Sequence, residues 1–149
     1  MTTSEQPADI LLVEDDPNDL ELTLHALRRH DFSGQIQVVR DGAEALDFMF
    51  CTGPYADRDP RHRPRLVLLD LRLPKMTGLE VLQHLKSDER TRTMPVVVLS
   101  SSREDRDIAD SYRLGVNSYV VKPVDFEQFR RTVQLVGLYW TTLNQAPYT

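Results

Sequence analysis

Four apolar runs in this chain each end in a residue able to handle a phosphoryl group. Glu14, Asp15 and Asp16 follow Ile10-Leu11-Leu12-Val13, and Asp70 follows Leu66-Val67-Leu68-Leu69. Ser100 closes Pro95-Val96-Val97-Val98-Leu99, and Lys122 follows Asn117-Ser118-Tyr119-Val120-Val121. Carboxylates gathered in one crevice raise each other's pKa unless a cation joins them. Mg²⁺ suits such a set, because it takes one or two carboxylates together with phosphate oxygens and water. A lysine opposite them is a point charge for an anion, and a hydroxyl can donate to a phosphoryl oxygen. The set matches phosphoryl transfer to a carboxylate, with Asp70 attacking and Lys122 holding the charge of the moving group. Taken singly, each residue has a plainer explanation. Asp70 is a helix cap, a ligand or a nucleophile. Asp16, just before Pro17, reads as a helix cap rather than a ligand. A Lys-Pro pair usually marks a turn, and Ser100 alone could simply end a strand. His25, His30, His62 and His84 are scattered and read as surface or core filler.

The elements that must position these groups alternate along the chain. Short, continuous apolar runs suit strands buried on both faces. Ile36, Val38 and Val39 add another strand, second in chain order. Leu20, Leu24 and Leu27 carry a first helix. Asp41-Gly42-Ala43-Glu44 and Thr77-Gly78-Leu79-Glu80 are box-like helix starts, leading into Ala45, Leu46, Phe48, Met49 and Phe50 and into Leu79, Leu82 and Leu85. A fourth helix starts between Ser102 and Asp105, with Ile108, Ala109 and Tyr112 as a thin apolar face. Asp125 caps a last, extended helix. Five β-α repeats with all-buried strands imply parallel pairing and right-handed crossovers. The expected architecture is α/β: a flavodoxin-like (βα)5 doubly wound parallel sheet with strand order 2-1-3-4-5. In that order strands one, three, four and five are neighbours about 4.8 Å apart, so their polar ends face one crevice.

On the last helix, Phe126, Phe129, Val133, Val136 and Trp140 form the stripe expected to face the core. A second stripe of Leu135, Leu138, Tyr139 and Leu143 cannot easily be buried by the same small domain. The plainer reading is a tail that folds back on its own domain; the sharper one makes these residues, together with Trp140, the contact of a homodimer. The segment Cys51–Arg65 has three prolines, one glycine and a run of arginines. It exceeds the about two to six residues usual for such a connection. It reads as a solvated surface loop, with a partner contact as the sharper alternative.

At 149 residues, 40% hydrophobic and 28% charged, the chain suits one globular domain. Residues 1–8 read as a flexible terminus and residues 9–149 as one domain with a helical tail. A net charge of -5 announces no nucleic-acid surface. A lone cysteine, Cys51, excludes an internal disulfide and suits a reducing compartment. No apolar stretch reaches membrane-spanning length and no secretory signal opens the chain, so a cytoplasmic location without membrane contact is expected.

The segments ILLVEDDP (Ile10–Pro17), LVLLDLRLPKMTG (Leu66–Gly78), VVVLSS (Val96–Ser101) and YVVKP (Tyr119–Pro123) resemble the receiver domain of two-component response regulators, over roughly Asp9 to Leu138. That resemblance implies that a sensor histidine kinase phosphorylates Asp70. It implies Mg²⁺, or Mn²⁺ in its place, held by Glu14, Asp15, Asp70 and the backbone carbonyl of Arg72. Ser100 would be the hydroxyl that swings toward the phosphoryl group, Lys122 its counter-ion, and Tyr119 the aromatic that turns inward. The Lys122–Pro123 bond would be cis. Arg72 and Ser102 fall where dephosphorylation is tuned, and a long arginine there predicts a long-lived phosphoform. Two departures, Glu14 for aspartate and Ser100 for threonine, keep the same chemistry. Pro17-Asn18-Asp19, Asp41–Phe50 (DGAEALDFMF), the long loop and Tyr139-Trp140 are similar to stand-alone regulators paired with phytochrome kinases. With no effector module after the receiver, output would pass by docking to another protein or by phosphotransfer to a histidine phosphotransfer protein. Such a chain is not a turnover enzyme. An aspartate-nucleophile phosphohydrolase would need an acid two residues after Asp70, where Arg72 stands. A phosphate-independent binding module would not need the Asp70, Asp15 and Lys122 set.

Overall fold

A computed structural model describes residues 8–28 and 34–147. Of the expected flexible terminus only Ala8 is described, packed against the core. His30, read as surface or core filler, lies outside the described residues. The apolar runs are strands β1 (Ile10–Val13), β2 (Ile36–Val39), β3 (Leu66–Leu69), β4 (Val96–Ser100) and β5 (Ser118–Val121). They form one parallel sheet in the order β2-β1-β3-β4-β5. Every residue of β1, β3 and β4 is buried, while the edge strands β2 and β5 are mostly half-buried. Alternate side chains go to opposite faces, as a two-residue period requires. Leu11, Val13, Val67, Leu69, Val96 and Val98 join one apolar cluster. Ile10, Leu12, Leu66, Leu68, Val97 and Leu99 join the other.

Helices α2 (Gly42–Phe50) and α3 (Gly78–Ser87) cover the first cluster through Ala45, Phe48, Val81, Leu82 and Leu85. Helices α1 (Pro17–Leu27) and α5 (Phe126–Leu138) cover the second through Leu20, Ala26, Leu27, Phe129 and Val133. Four helix starts carry the cap expected of them. Asp16 accepts from the amides of Asn18 and Asp19, Asp41 from Glu44 and Asp125 from Gln128, and Thr77 and Glu80 complete a reciprocal box.

Helix α4 (Asp105–Arg113) starts at the far end of the expected span. Ser102 lies before it. Its buried hydroxyl donates to Asp107 (2.5 Å) and accepts from the Glu104 amide (3.3 Å). The expected apolar face is not the buried one: Ser111 is inside, while Ala109 and Tyr112 face solvent. On α5 the expected core stripe loses Phe126, which is 50% exposed. As the first helical residue it precedes the turn that reaches the sheet. Buried Gly137 takes a place in the stripe instead, where a Cβ would come within 2.7 Å of Leu27 Cδ2. The helix continues as a π-helical turn, Tyr139–Leu143. Leu135, Leu138, Tyr139 and Leu143 are all exposed, as the second stripe predicts, while Trp140 packs partly against the core.

The Cys51–Arg65 loop lies at the surface but is not loosely solvated. Arg58 sits 3.7 Å over the Phe48 ring, where the cation meets the face of the π-system. It also donates to the Phe48 carbonyl and reaches the His62 carbonyl at 2.7 Å. Tyr55 packs edge-on against Phe48 and donates to Glu44 (2.7 Å), and the Thr52 hydroxyl donates to Asp47 (2.7 Å).

Candidate functional site

The register of the sheet brings the strand ends level. Val13 pairs with Leu69, Leu69 with Val98, and Ser100 with Val121. The amide of Asp70 donates to the Val13 carbonyl (3.1 Å) and that of Lys122 to the Ser100 carbonyl (2.8 Å), so the ladder continues one residue past the strands. Glu14 and Asp70 therefore leave the neighbouring strands β1 and β3 level with each other, and Lys122 leaves β5, one strand beyond β4 and two residues further along the register; all three are buried. Lys122 Nζ stands between carboxylates, 2.9 Å from Glu14 Oε1, 3.3 Å from Asp70 Oδ2 and 2.7 Å from Asp19 Oδ2. The other Asp70 oxygen accepts from the Arg72 amide (3.2 Å), fixing the carboxylate at the start of the β3–α3 loop. That loop is pressed against α3: a Cβ on Gly78 would lie 2.3 Å from the Asp70 carbonyl oxygen.

Burial, and then the charge of Asp70, push the Glu14 carboxyl up to about 7, against the pull of Lys122. Both effects disfavour the ionised form. For Lys122, burial alone would favour the neutral amine. The hydrogen bond to Asp19 and the charges of Asp70 and Glu14 outweigh it and raise its pKa, so the lysine is an ammonium. Three carboxylates share this one cation, an excess of acidic groups that is greatest in charge when Glu14 is ionised.

The expected residues fall into three groups. Glu14, Asp70 and Lys122 meet. Ser100, fully buried, makes no hydrogen bond to them among the described residues; its hydroxyl accepts from the Ser102 amide (3.2 Å), and the Ser102 carbonyl accepts from the Tyr119 hydroxyl (3.0 Å). Asp15 and the Arg72 side chain are exposed at the mouth. No three His, Cys, Asp or Glu side chains among the described residues stand together in metal-holding geometry. Lys122 occupies the space between Glu14 and Asp70, and Asp15 turns outward. The donor set itself, hard carboxylate oxygens in charge excess, suits Mg²⁺ or Mn²⁺. The Lys122–Pro123 bond, expected to be cis, is trans, as is every described peptide bond. Trans is the preferred isomer by about 0.5–1 kcal/mol, and from it Lys122 already reaches its partners.

Asp19 is the residue that sequence reasoning missed. Its place in the first turn of α1 accounts for an acid there through the helix dipole alone. The signal that could have found it is the cap: Asp16 sets the first turn of α1 directly after Glu14, beside the crevice.

Residues 10–134 match the family described as the response regulator receiver domain. This chain is a response regulator receiver. It is 44% identical over 97% of its length, and 90% of the relative's, to a probable methanogenesis regulatory protein, FilR2, of Methanothrix harundinacea. The phosphorylated cyanobacterial phytochrome response regulator RcpA superposes with a TM-score of 0.88 at 39% identity, over 95% of this chain and 99% of that one. The Mn²⁺-bound form of Rcp1, a Synechocystis response regulator, gives 0.87 at 35% identity over the same shares. The receiver is thus closely related to phytochrome-associated regulators and serves phosphorelay signalling. Receivers of this kind take a phosphoryl group from a histidine kinase and act as self-phosphorylating, self-dephosphorylating switches. No helix among the described residues is long and apolar enough to cross a membrane.

Proposed function

We propose that Asp70 of this receiver is the phosphoacceptor for a phytochrome-type sensor histidine kinase in the cytoplasm. The observation that carries this reading is the pairing of Asp70 with a buried ammonium, 3.3 Å away, at the carboxyl edge of the sheet. In the transfer an Asp70 carboxylate oxygen bonds to phosphorus as the donor's bond to phosphorus breaks, and the donor group leaves with the electron pair. Glu14, Asp15, Asp70 and the Arg72 carbonyl would hold Mg²⁺ or Mn²⁺, which when bound supplies positive charge against the phosphoryl oxygens. Lys122 holds the remaining charge. Ser100 turns its hydroxyl from the Ser102 amide toward the phosphoryl group, which releases the Ser102 carbonyl and its Tyr119 partner as the switch. Output passes to a docking protein or a histidine phosphotransfer protein.

Incubating the full chain with Mg²⁺ and a small acyl phosphate should add the mass of one phosphoryl group, and Asp70→Asn should abolish the adduct. Donor turnover without adduct would point to a hydrolase. Neither adduct nor turnover, together with no transfer from an illuminated or dark phytochrome kinase, would point to a phosphate-independent binder.

Arg72, exposed beside Asp70, and Ser102 are the tuning positions. The phosphoform should persist for minutes at neutral pH and decay faster in Arg72→Ala. Decay of the parent within seconds would remove the shielding role. The exposed face of Leu135, Leu138, Tyr139 and Leu143, with Trp140 beside it, is the proposed homodimer contact. Light scattering should show a dimer for the parent chain and a monomer for a Leu135→Asp, Leu138→Asp double variant. Both residues are more than half exposed, so the fold itself should persist.

A further inference from the structure

The three donors of Lys122 are unequally engaged. The contact to Asp19 is 2.7 Å and that to Glu14 is 2.9 Å, whereas the contact to the acceptor Asp70 is 3.3 Å. Both shorter bonds lead toward the start of α1. Asp19 is fixed there, since its amide donates to the Asp16 cap at 3.2 Å. The Asp19 side chain is also the most exposed of the three partners, 33% against 3% for Glu14 and 11% for Asp70. It therefore forms the rim of the crevice over which a phosphoryl donor enters.

We propose that Asp19 is a positioning residue that holds Lys122 toward α1 and away from Asp70, and so restrains phosphoryl arrival at the acceptor. This rests on the receiver reading above. An ammonium–carboxylate hydrogen bond is among the stronger kind, and an incoming phosphoryl group must win Lys122 from it. The Asp19 charge also faces that group across the same ammonium and repels it. The step it restrains forms the Asp70 oxygen–phosphorus bond as the donor's bond to phosphorus breaks: a nitrogen–phosphorus bond with imidazole leaving for a phosphohistidine, an oxygen–phosphorus bond with acetate leaving for acetyl phosphate.

The test follows adduct formation by intact mass over a series of acetyl phosphate concentrations with Mg²⁺, on the full chain. Asp19→Asn keeps an acceptor oxygen but removes the charge, and Asp19→Ala removes both. Each should form the adduct faster at low donor, on the order of tenfold. Asp19→Glu should retain a rate near the parent's, and Glu21→Gln, an exposed charge on the same helix, should change nothing. Parent rates in both Asn and Ala variants would overturn the proposal. So would a slow Ala variant beside a normal Asn variant, which is the signature of a mere tether. A parent chain that forms no adduct from acetyl phosphate or from a phytochrome kinase would overturn the phosphoacceptor reading and this inference together. A normal parent adduct with unchanged variants would overturn this inference alone.

Discussion

Lys122→Met should lower the thermal midpoint of the chain in cation-free buffer by roughly 6 to 20 °C, and should nearly abolish adduct formation at Asp70. The side chain of Lys122 is 7% exposed and bonds to three carboxylates, two of them buried. Methionine fills similar space and takes the ammonium away. Leaving a buried charge without its partner costs about 3–5 kcal/mol, and in a chain of this size each kcal/mol moves the midpoint by about 2–4 °C. The pH dependence has a definite sign. In the parent, the Glu14 carboxyl stands at about 7 in the fold against an ordinary 4.5. Its contribution to stability is complete below the ordinary value and is lost as pH rises through the raised one. Without Lys122 that rise must be larger, so the deficit of the variant should be small near about pH 5 and large near about pH 8. Added Mg²⁺ should restore more stability to the variant than to the parent. A variant as stable as the parent at both pH values, measured by calorimetry, would show that the ammonium does not balance the crevice.

Gly78→Ala should be nearly as damaging, through sterics rather than charge. A Cβ there would lie 2.3 Å from the Asp70 carbonyl oxygen and 2.6 Å from Leu71 Cα, both backbone atoms that cannot swing aside. Gly78 also donates its amide to the Leu71 carbonyl at 2.9 Å, so α3 cannot back away without losing that bond. Overpacking of this kind costs about 1–3 kcal/mol, more where the neighbour is rigid. The expected loss is therefore about 3 kcal/mol or above, and because the displaced atoms belong to Asp70, adduct formation should slow as well. Gly42→Ala is a companion, since its Cβ would lie 2.5 Å from the Met76 carbonyl oxygen on the same loop. Unchanged denaturation midpoints in both would mean that the β3–α3 loop moves freely.

Much of this was legible from residues with short-range causes. The apolar runs at Ile10, Leu66 and Val96 are strands because only a doubly covered sheet buries every residue of such a run. Asp16, Asp41, Thr77 and Asp125 cap helices because their side chains serve amides two or three residues away. The meeting of Glu14 and Asp70 followed from strand order, since neighbours in a parallel sheet end side by side, and the long side chain of Lys122 reaches them from β5 across the end of β4. What stayed hidden depends on contacts between distant residues. Asp19 and Lys122 are 103 residues apart, and nothing local to either records the bond. Asp15 is exposed while its neighbour Glu14 is buried, a difference that two adjacent acids do not announce. Phe126 fits its stripe by spacing, yet as the first residue of α5 it stays half exposed while Phe129 reaches the core. On α4 the buried face falls on Ser111 rather than on the apolar Ala109 and Tyr112.

The arginine-rich loop after α2 has a bearing on inheritance. Tyr55 reaches Glu44, Thr52 reaches Asp47, and Arg58 reaches Phe48, so these anchors stand on the one preceding helix. Helix and loop are a single cassette. A relative's loop spliced onto this chain without its own helix would arrive with nothing to grip, whereas the two moved together would carry their fastening with them. Recombination that keeps the receiver intact should therefore cut before Asp41 or after Arg65, and seldom between.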